Sequence, residues 1–192
     1  MKILVRGYEP ADSSAAVAVY RSSHESMRRS RGGMHPDGSI DAILGKSDSE
    51  LLLLLTGSCS LFVAIVEETG QMVGIGGFTI TPAGRLLGST LSRNLYVRED
   101  FQKGRAGVNV GKILRSRILE EARRQGFRKI YGFSTPEAVE FHRKFGAVFF
   151  PSFDKTVDSV NVSYYEIELR KSLMNRLRAE PYLMRLASFL RR

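Results

Sequence analysis

The segment from residue 94 to residue 147 limits what this chain can fold into more than any other. Asn94 to Arg98 reads as a strand, and Gln102 to Lys112 is a bend containing Gly104, Gly107 and Gly111. A helix is expected over about 109–125, with Val110, Ile113, Leu114, Ile118 and Ala122 at helical spacing on its buried side and Gly126 as its stop. A second strand follows at 128–134, then a shorter helix at 136–145 that runs into Gly146. A glycine-rich bend that opens a helix after a strand turns several free backbone N–H groups toward one point. The helix dipole adds positive potential there, so phosphate is the ligand this geometry favours.

The rest of the chain supplies the remaining elements. Residues 2–8 read as a first strand and 11–31 as a helix, with Asp12 or Ser13 as its cap and Ala16, Val19, Tyr20 and Met27 on its apolar side. Residues 31–38 are a breaker-rich loop, followed by a short helix at 40–44 and another from Ser47, where Ser47 and Glu50 have the spacing of a capping box. Strands at 61–66 and 72–81 meet at a hairpin signal, 68–70. Residues 82–88 read as a loop, and further strands are expected at 90–98, 147–151 and 161–169. This order predicts an α/β (α+β) domain with a mixed, mostly antiparallel sheet. One crossover joins the strands at 90–98 and 128–134.

At 192 residues, with 43% apolar and 26% charged, the chain suits one domain with a real core. The formal charge of +9 is unevenly distributed. The segment from Arg170 to the end holds +6 of it, which leaves the body only mildly basic. No basic face interleaved with stacking aromatics is visible, so nucleic acid is not an expected partner. The single cysteine, Cys59, excludes an internal disulfide and reads as structural. The apolar run Leu51 to Leu55 is far short of a membrane span, and the start is too weakly apolar for a signal peptide. A soluble cytoplasmic protein is expected.

Other chemistries fit poorly. A Walker phosphate loop would require glycine where Ala106 stands and a hydroxyl where Ile113 follows Gly111 and Lys112. No Gly-x-Gly-x-x-Gly follows any strand, and no Gly-x-Ser-x-Gly marks a nucleophile. The three histidines, His24, His35 and His142, are far apart and no cysteine pair exists, so no metal is expected.

The ordered set of motifs resembles the GNAT superfamily of acyl-CoA-dependent N-acyltransferases. Val97 to Gln102 resembles the strand end that leads into the family's pyrophosphate loop. Asn109 to Leu114 resembles the Gly-x-Gly-x-x-Leu start of its long helix. Thr135 to Ala147, with Ala138, Phe141, His142 and Gly146, resembles the Asn-x-x-Ala-x-x-Phe-Tyr-x-x-x-Gly-Phe segment, and Val5 to Asp12 the opening strand and turn. The resemblance covers roughly residues 2–169 and implies a GNAT-like domain over 1–170 with helices on both sheet faces. A basic amphipathic helical tail over 171–192 is expected beyond it.

The resemblance implies acetyl-CoA, or another acyl-CoA, as co-substrate and an amine as acceptor. The CoA contacts it implies are Leu95, Tyr96, Val97, Gln102, Arg105, Ala106, Gly107, Val108, Asn109, Val110, Gly111, Lys112, Thr135, Ala138 and Phe141. Arg93 and Asn94 are candidate acceptor contacts. His142 takes the place of the family's tyrosine acid, as a candidate general acid with an unperturbed pKa of about 6.5 or as a packing residue. Two further departures stand out. The loop is extended, with Asn109 for the earlier glycine, and the glutamate base has no counterpart among Ser92, Arg93 and Asn94. His24, Glu25 and His35, near the expected acceptor entrance, read as ordinary surface residues.

The expected activity is N-acetyl transfer to a primary amine of a small or amino-acid-like acceptor. A CoA-binding scaffold without catalysis and a membrane-surface acyltransferase for longer chains are the alternatives. The tail, with Tyr182, Leu183, Leu186, Phe189 and Leu190 largely on one side, leaves membrane contact, a homodimer or docking on its own domain open.

Overall fold

The computed structural model describes residues 1–31, 34–35, 38–57, 59–157 and 160–169. The expected tail, 171–192, lies outside the described residues. Strand β1 (Ile3–Gly7) leads through a 3-10 turn into helix α1 (Ser13–Arg31). The two-residue strands β2 (Met34–His35) and β3 (Gly38–Ser39) pair inside the expected loop, followed by α2 (Ile40–Leu44) and α3 (Asp48–Thr56). Next come β4 (Cys59–Val66), β5 (Met72–Thr79), α4 (Pro82–Leu87) and β6 (Ser89–Val97). A 3-10 turn over Glu99–Gly104 precedes α5 (Val110–Arg124), and then β7 (Lys129–Ser134) and α6 (Val139–Arg143). The described chain closes with β8 (Val148–Phe149), β9 (Lys155–Val157) and β10 (Val160–Glu168).

Local chemistry explains most boundaries. Ser47 and Glu50 form the expected capping box at α3, with the Ser47 amide donating to Glu50 Oε2 at 2.8 Å. The segment 82–88 is a helix and not the expected loop. Thr81 Oγ1 accepts from the Gly84 amide at 2.9 Å, Pro82 opens the first turn, and Gly88 ends it at φ +65°.

Apart from the β2–β3 pair, the strands form one sheet in the order β1-β4-β5-β6-β7-β10-β8, with β9 also on β10. Among the described strands only β6 and β7 run parallel. Alternation along β4 divides the core. Phe62, Ala64 and Val66 join Val110, Leu114 and Ile118 of α5 on one face. On the other, Leu61 and Val63 join Ala16, Val19 and Tyr20 of α1 and Leu51 and Leu55 of α3. Both faces of the central strands are thereby covered, so β4 and β5 read as nearly continuous apolar runs.

β5 and β6 fall out of simple register between Ile75↔Tyr96 and Gly77↔Arg93, where β6 has one residue more than β5. The extra residue, at Asn94–Leu95, is a β-bulge and changes which side chains share a face. Ser92 bonds to Arg115 of α5, and Leu95 and Val97 pack on the α5 core, whereas Tyr96 packs on the α1 side. Close approach of β4 and β5 beside the bulge depends on Gly77, since a Cβ there would lie 2.3 Å from the Ser60 carbonyl oxygen. Gly77→Ala is expected to lower stability by about 2–3 kcal/mol in urea denaturation, because backbone must move to admit the methyl. An unchanged midpoint would show that the strands separate there at no cost.

Candidate functional site

β6 and β7 are paired through Ser89↔Lys129, Thr90↔Ile130 and Leu91↔Tyr131. Beyond that point β6 stays on β5 as far as Gly74↔Val97, and β7 stays on β10 as far as Ser134↔Ser163. Each strand continues with its other partner while the two draw apart from each other. The result is a wedge between Ser92–Val97 and Gly132–Ser134, opening toward the strand ends. The bulge at Asn94–Leu95 bends β6 at this place. Backbone N–H and C=O groups along such facing edges suit an extended, strand-like ligand.

The wedge opens onto the start of α5. Asn109 caps that helix, its Oδ1 accepting from the Lys112 amide at 2.9 Å. The Arg105 amide donates to Gln102 O and the Gly107 amide to Gly104 O. The amides of Ala106, Val108, Asn109, Val110 and Gly111 find no acceptor among the described residues. Lys103, Gly104 and Gly107 take positive φ, which lets so short a path reverse direction twice. Asn109 itself has φ −94°, outside the left-handed region, and its cap occupies the Lys112 amide.

Gln102 positions this loop. Its Nε2 donates to the Val97 carbonyl at 2.8 Å and its Oε1 accepts from Ser26 of α1 at 3.3 Å. An ion pair between Arg29 and Glu99 adds a second tie from α1. Across the wedge, Thr135 precedes the turn into α6, where its carbonyl accepts from the Ala138 amide. Phe141 of α6 reaches the first turn of α5, 3.6 Å from where a Gly111 Cβ would lie. The fold thus brings together the three predicted segments, 95–97, 102–112 and 135–142. Arg93 is exposed on the α1 side of β6, and the side chain of Asn94 lies outside the described residues.

His142 is buried, 7% exposed, and its ring stacks on Tyr165 of β10 at 4.3 Å. Burial, and after it the charge of Arg115, push its pKa down to about 3. The imidazole is therefore neutral, and proton exchange near neutrality, as expected from an unperturbed ring, does not hold here. His142 Nδ1 has no hydrogen-bond partner among the described residues. His24 also departs from expectation. It is fully buried on α1, its Nδ1 2.9 Å from the Tyr20 carbonyl and its ring between Tyr20 and Tyr96. Glu25 is exposed, and the side chain of His35 lies outside the described residues.

The sequence reading missed Arg115. This arginine of α5 is fully buried, donating to Ser92 Oγ at 2.6 Å and to the Tyr165 hydroxyl at 3.1 Å. Its Nε has no hydrogen-bond partner among the described residues. The signal was available, because Arg115 follows Leu114 and precedes Ile118 by three, inside the apolar stripe of the helix. A surface groove of about 470 Å³, lined by Ile80, Pro82, Arg85 and Leu86, lies at the start of β6, away from this cluster.

The neutral His142 has a measurable consequence. Its folded-state pKa lies below the unfolded value of about 6.5, so the unfolded chain binds the proton more readily. Its contribution to stability is full above that pH and falls by roughly 1.4 kcal/mol per unit as pH drops toward 3. His142→Phe should flatten that part of the stability profile in urea titrations. NMR of the wild-type ring should show no titration between pH 8 and 5, and a midpoint near 6.5 would contradict the buried placement.

No family model and no curated protein matches this sequence. Solved structures do match in three dimensions. The PaiA N-acetyltransferase of Thermoplasma acidophilum, solved in complex with coenzyme A, superposes with a TM-score of 0.65 at 15% identity, over 88% of this chain and 99% of that one. A GNAT superfamily phosphinothricin acetyltransferase of Sinorhizobium meliloti, in complex with AcCoA, gives 0.65 at 18% identity, over 91% and 92%. The ribosomal-protein-S18-alanine N-acetyltransferase of Escherichia coli gives 0.62 at 13%, over 91% and 98%. The splayed parallel pair, the glycine-rich loop and these superpositions agree: this chain has the fold of the GNAT superfamily.

Proposed function

We propose that the protein is an acyl-CoA N-acyltransferase that moves an acetyl group to a primary amine of a small or amino-acid-like acceptor. The observation that carries this reading is the wedge between β6 and β7 opening onto five unpaired amides at Ala106, Val108, Asn109, Val110 and Gly111. A diphosphate suits those donors and the positive end of α5. An extended pantetheine arm suits the free strand edges of the wedge. Two of the structural neighbours, from T. acidophilum and S. meliloti, carry coenzyme A or AcCoA.

The chemistry follows from that placement. Backbone amides near Leu95 to Val97, beside the bulge, are the donors available to a developing oxyanion. Arg93, exposed on the α1 side, and Asn94, at the bulge, are the acceptor contacts in this reading. The amine nitrogen attacks the thioester carbonyl carbon, the C–S bond breaks, and the proton lost by nitrogen passes to water. Gln102 keeps the Val97 carbonyl and the loop in fixed relation, while His142 packs as a neutral ring.

A CoA-binding scaffold is the second reading, favoured by the neutral His142 and by the absence of a glutamate at residues 92–94. The membrane-surface alternative rests on the tail, outside the described residues. No helix among the described residues is long and apolar enough to cross a membrane.

Calorimetry with CoA, followed by thiol release from acetyl-CoA across an amine panel, tests the proposal. Binding with release supports the enzyme, and binding without release on any amine supports the scaffold. No heat at millimolar CoA removes both. Gly111→Ala should fold normally, since the new methyl meets only ordinary contacts at 3.6 to 3.8 Å. Its CoA affinity should nevertheless fall by about tenfold or more, because the methyl crowds the approach to the helix amides.

A further inference from the structure

Arg115 is a fully buried guanidinium with no carboxylate partner among the described residues. Of its five N–H groups, one donates to Ser92 Oγ and one to the Tyr165 hydroxyl, and the Nε–H has no acceptor among the described residues. A buried cation held by two neutral hydroxyls and the Tyr165 ring, 5.8 Å from its centroid, is expensive to keep, and a fold that keeps one is poised for an anion. Leucine or methionine would fill the same place in the helix stripe at lower cost.

Its location says which anion. Ser92 is the first residue of β6 beyond its last pair with β7, Leu91↔Tyr131. The Tyr165 hydroxyl lies over Gly132, the first residue of β7 beyond that pair, since a Cβ at Gly132 would meet it at 2.8 Å. The guanidinium joins those two points and therefore sits at the apex of the wedge. His142 closes the same cluster by stacking on Tyr165, and its buried Nδ1 has no hydrogen-bond partner among the described residues. Burial, and after it the cation, depress the basicity of this ring, so the cluster holds a fixed positive charge and no proton ready for transfer at neutral pH.

We infer that Arg115 stabilises the sulfur leaving the acyl carrier as a thiolate, by fixing a desolvated positive charge at the apex of the β6–β7 wedge. The inference rests on the acyl-CoA reading given above. As the C–S bond breaks, its electron pair stays on sulfur. The sulfur departs as an anion in the field of Arg115 and takes a proton from water on release. The buried cation thus replaces a general acid. Ser92 and Tyr165 act as positioning residues, holding the guanidinium through its two hydrogen bonds.

The thiol of bound CoA reports on this field directly. Its thiolate absorbance is followed against pH in the wild type, in Arg115→Met and in Arg115→Lys. In the wild type it should titrate about one unit or more below the thiol of free CoA measured under the same conditions. Arg115→Met should return it to that value or above, with a tenfold or greater loss of thiolate at fixed pH, and Arg115→Lys should recover part of the shift. In turnover, Arg115→Met should lower kcat at nearly unchanged KM for acetyl-CoA. A wild-type titration equal to that of free CoA overturns the inference, whether or not Arg115→Met folds. So does an unchanged titration in a folded Arg115→Met. Failure of the wild type to bind CoA at all is a different result, and brings down the acyl-CoA reading itself.

Discussion

The separation of β6 from β7 after Leu91 and Tyr131 is the constraint on which the rest of the site depends. A parallel pair that stayed zipped to the strand ends would leave no unpaired edge and no opening toward α5. Both strands can part because each retains a second partner, β5 for β6 and β10 for β7. Their backbone groups on those sides stay satisfied, and only the facing edges lose theirs. The bulge at Asn94–Leu95 supplies the bend. It also moves Leu95 and Val97 onto the α5 face with Ser92, so one extra residue sets both the opening and its lining.

The loop that follows is held from two sides. Gln102 joins the Val97 carbonyl to Ser26, and Glu99 pairs with Arg29, so the long helix α1 fixes the approach to α5. From the other side Phe141 rests against the Gly111 turn. The five unpaired amides are therefore displayed by a framework that is already packed, and ordering them is not left to a ligand. Asn109 trims the set by capping Lys112, which centres the donors on the loop and the first two residues of the helix.

Charge is distributed unusually beneath the wedge. Arg115 has hydroxyl partners and no acid among the described residues, while His142 stays neutral because burial and that same guanidinium oppose a second positive charge. The two residues are one electrostatic unit: the cation is permanent, and the imidazole beside it gives up the titration it would show in water. Tyr165 links them, stacked on one and hydrogen-bonded to the other.

The glycine-rich bend, the helix behind it and the order of strands were legible in the sequence, because hydrophobic period and glycine placement are local properties of the chain. So was the capping box at Ser47 and Glu50. The helix at Pro82–Leu87 carried an equally local signal in Thr81, Pro82 and Gly88, and read as a loop only because the segment between is short. What the sequence by itself determined is therefore most of the elements and the glycine-rich turn that leads into α5. Only the tertiary structure decided that His24 is a core residue, that His142 is neutral and that Arg115 lies at the wedge apex. Solvation and charge at those positions come from Tyr20, Tyr96, Ser92 and Tyr165, partners on other elements. Three of them, Tyr96, Ser92 and Tyr165, are brought in from positions far along the chain, and no period along it can report such contacts.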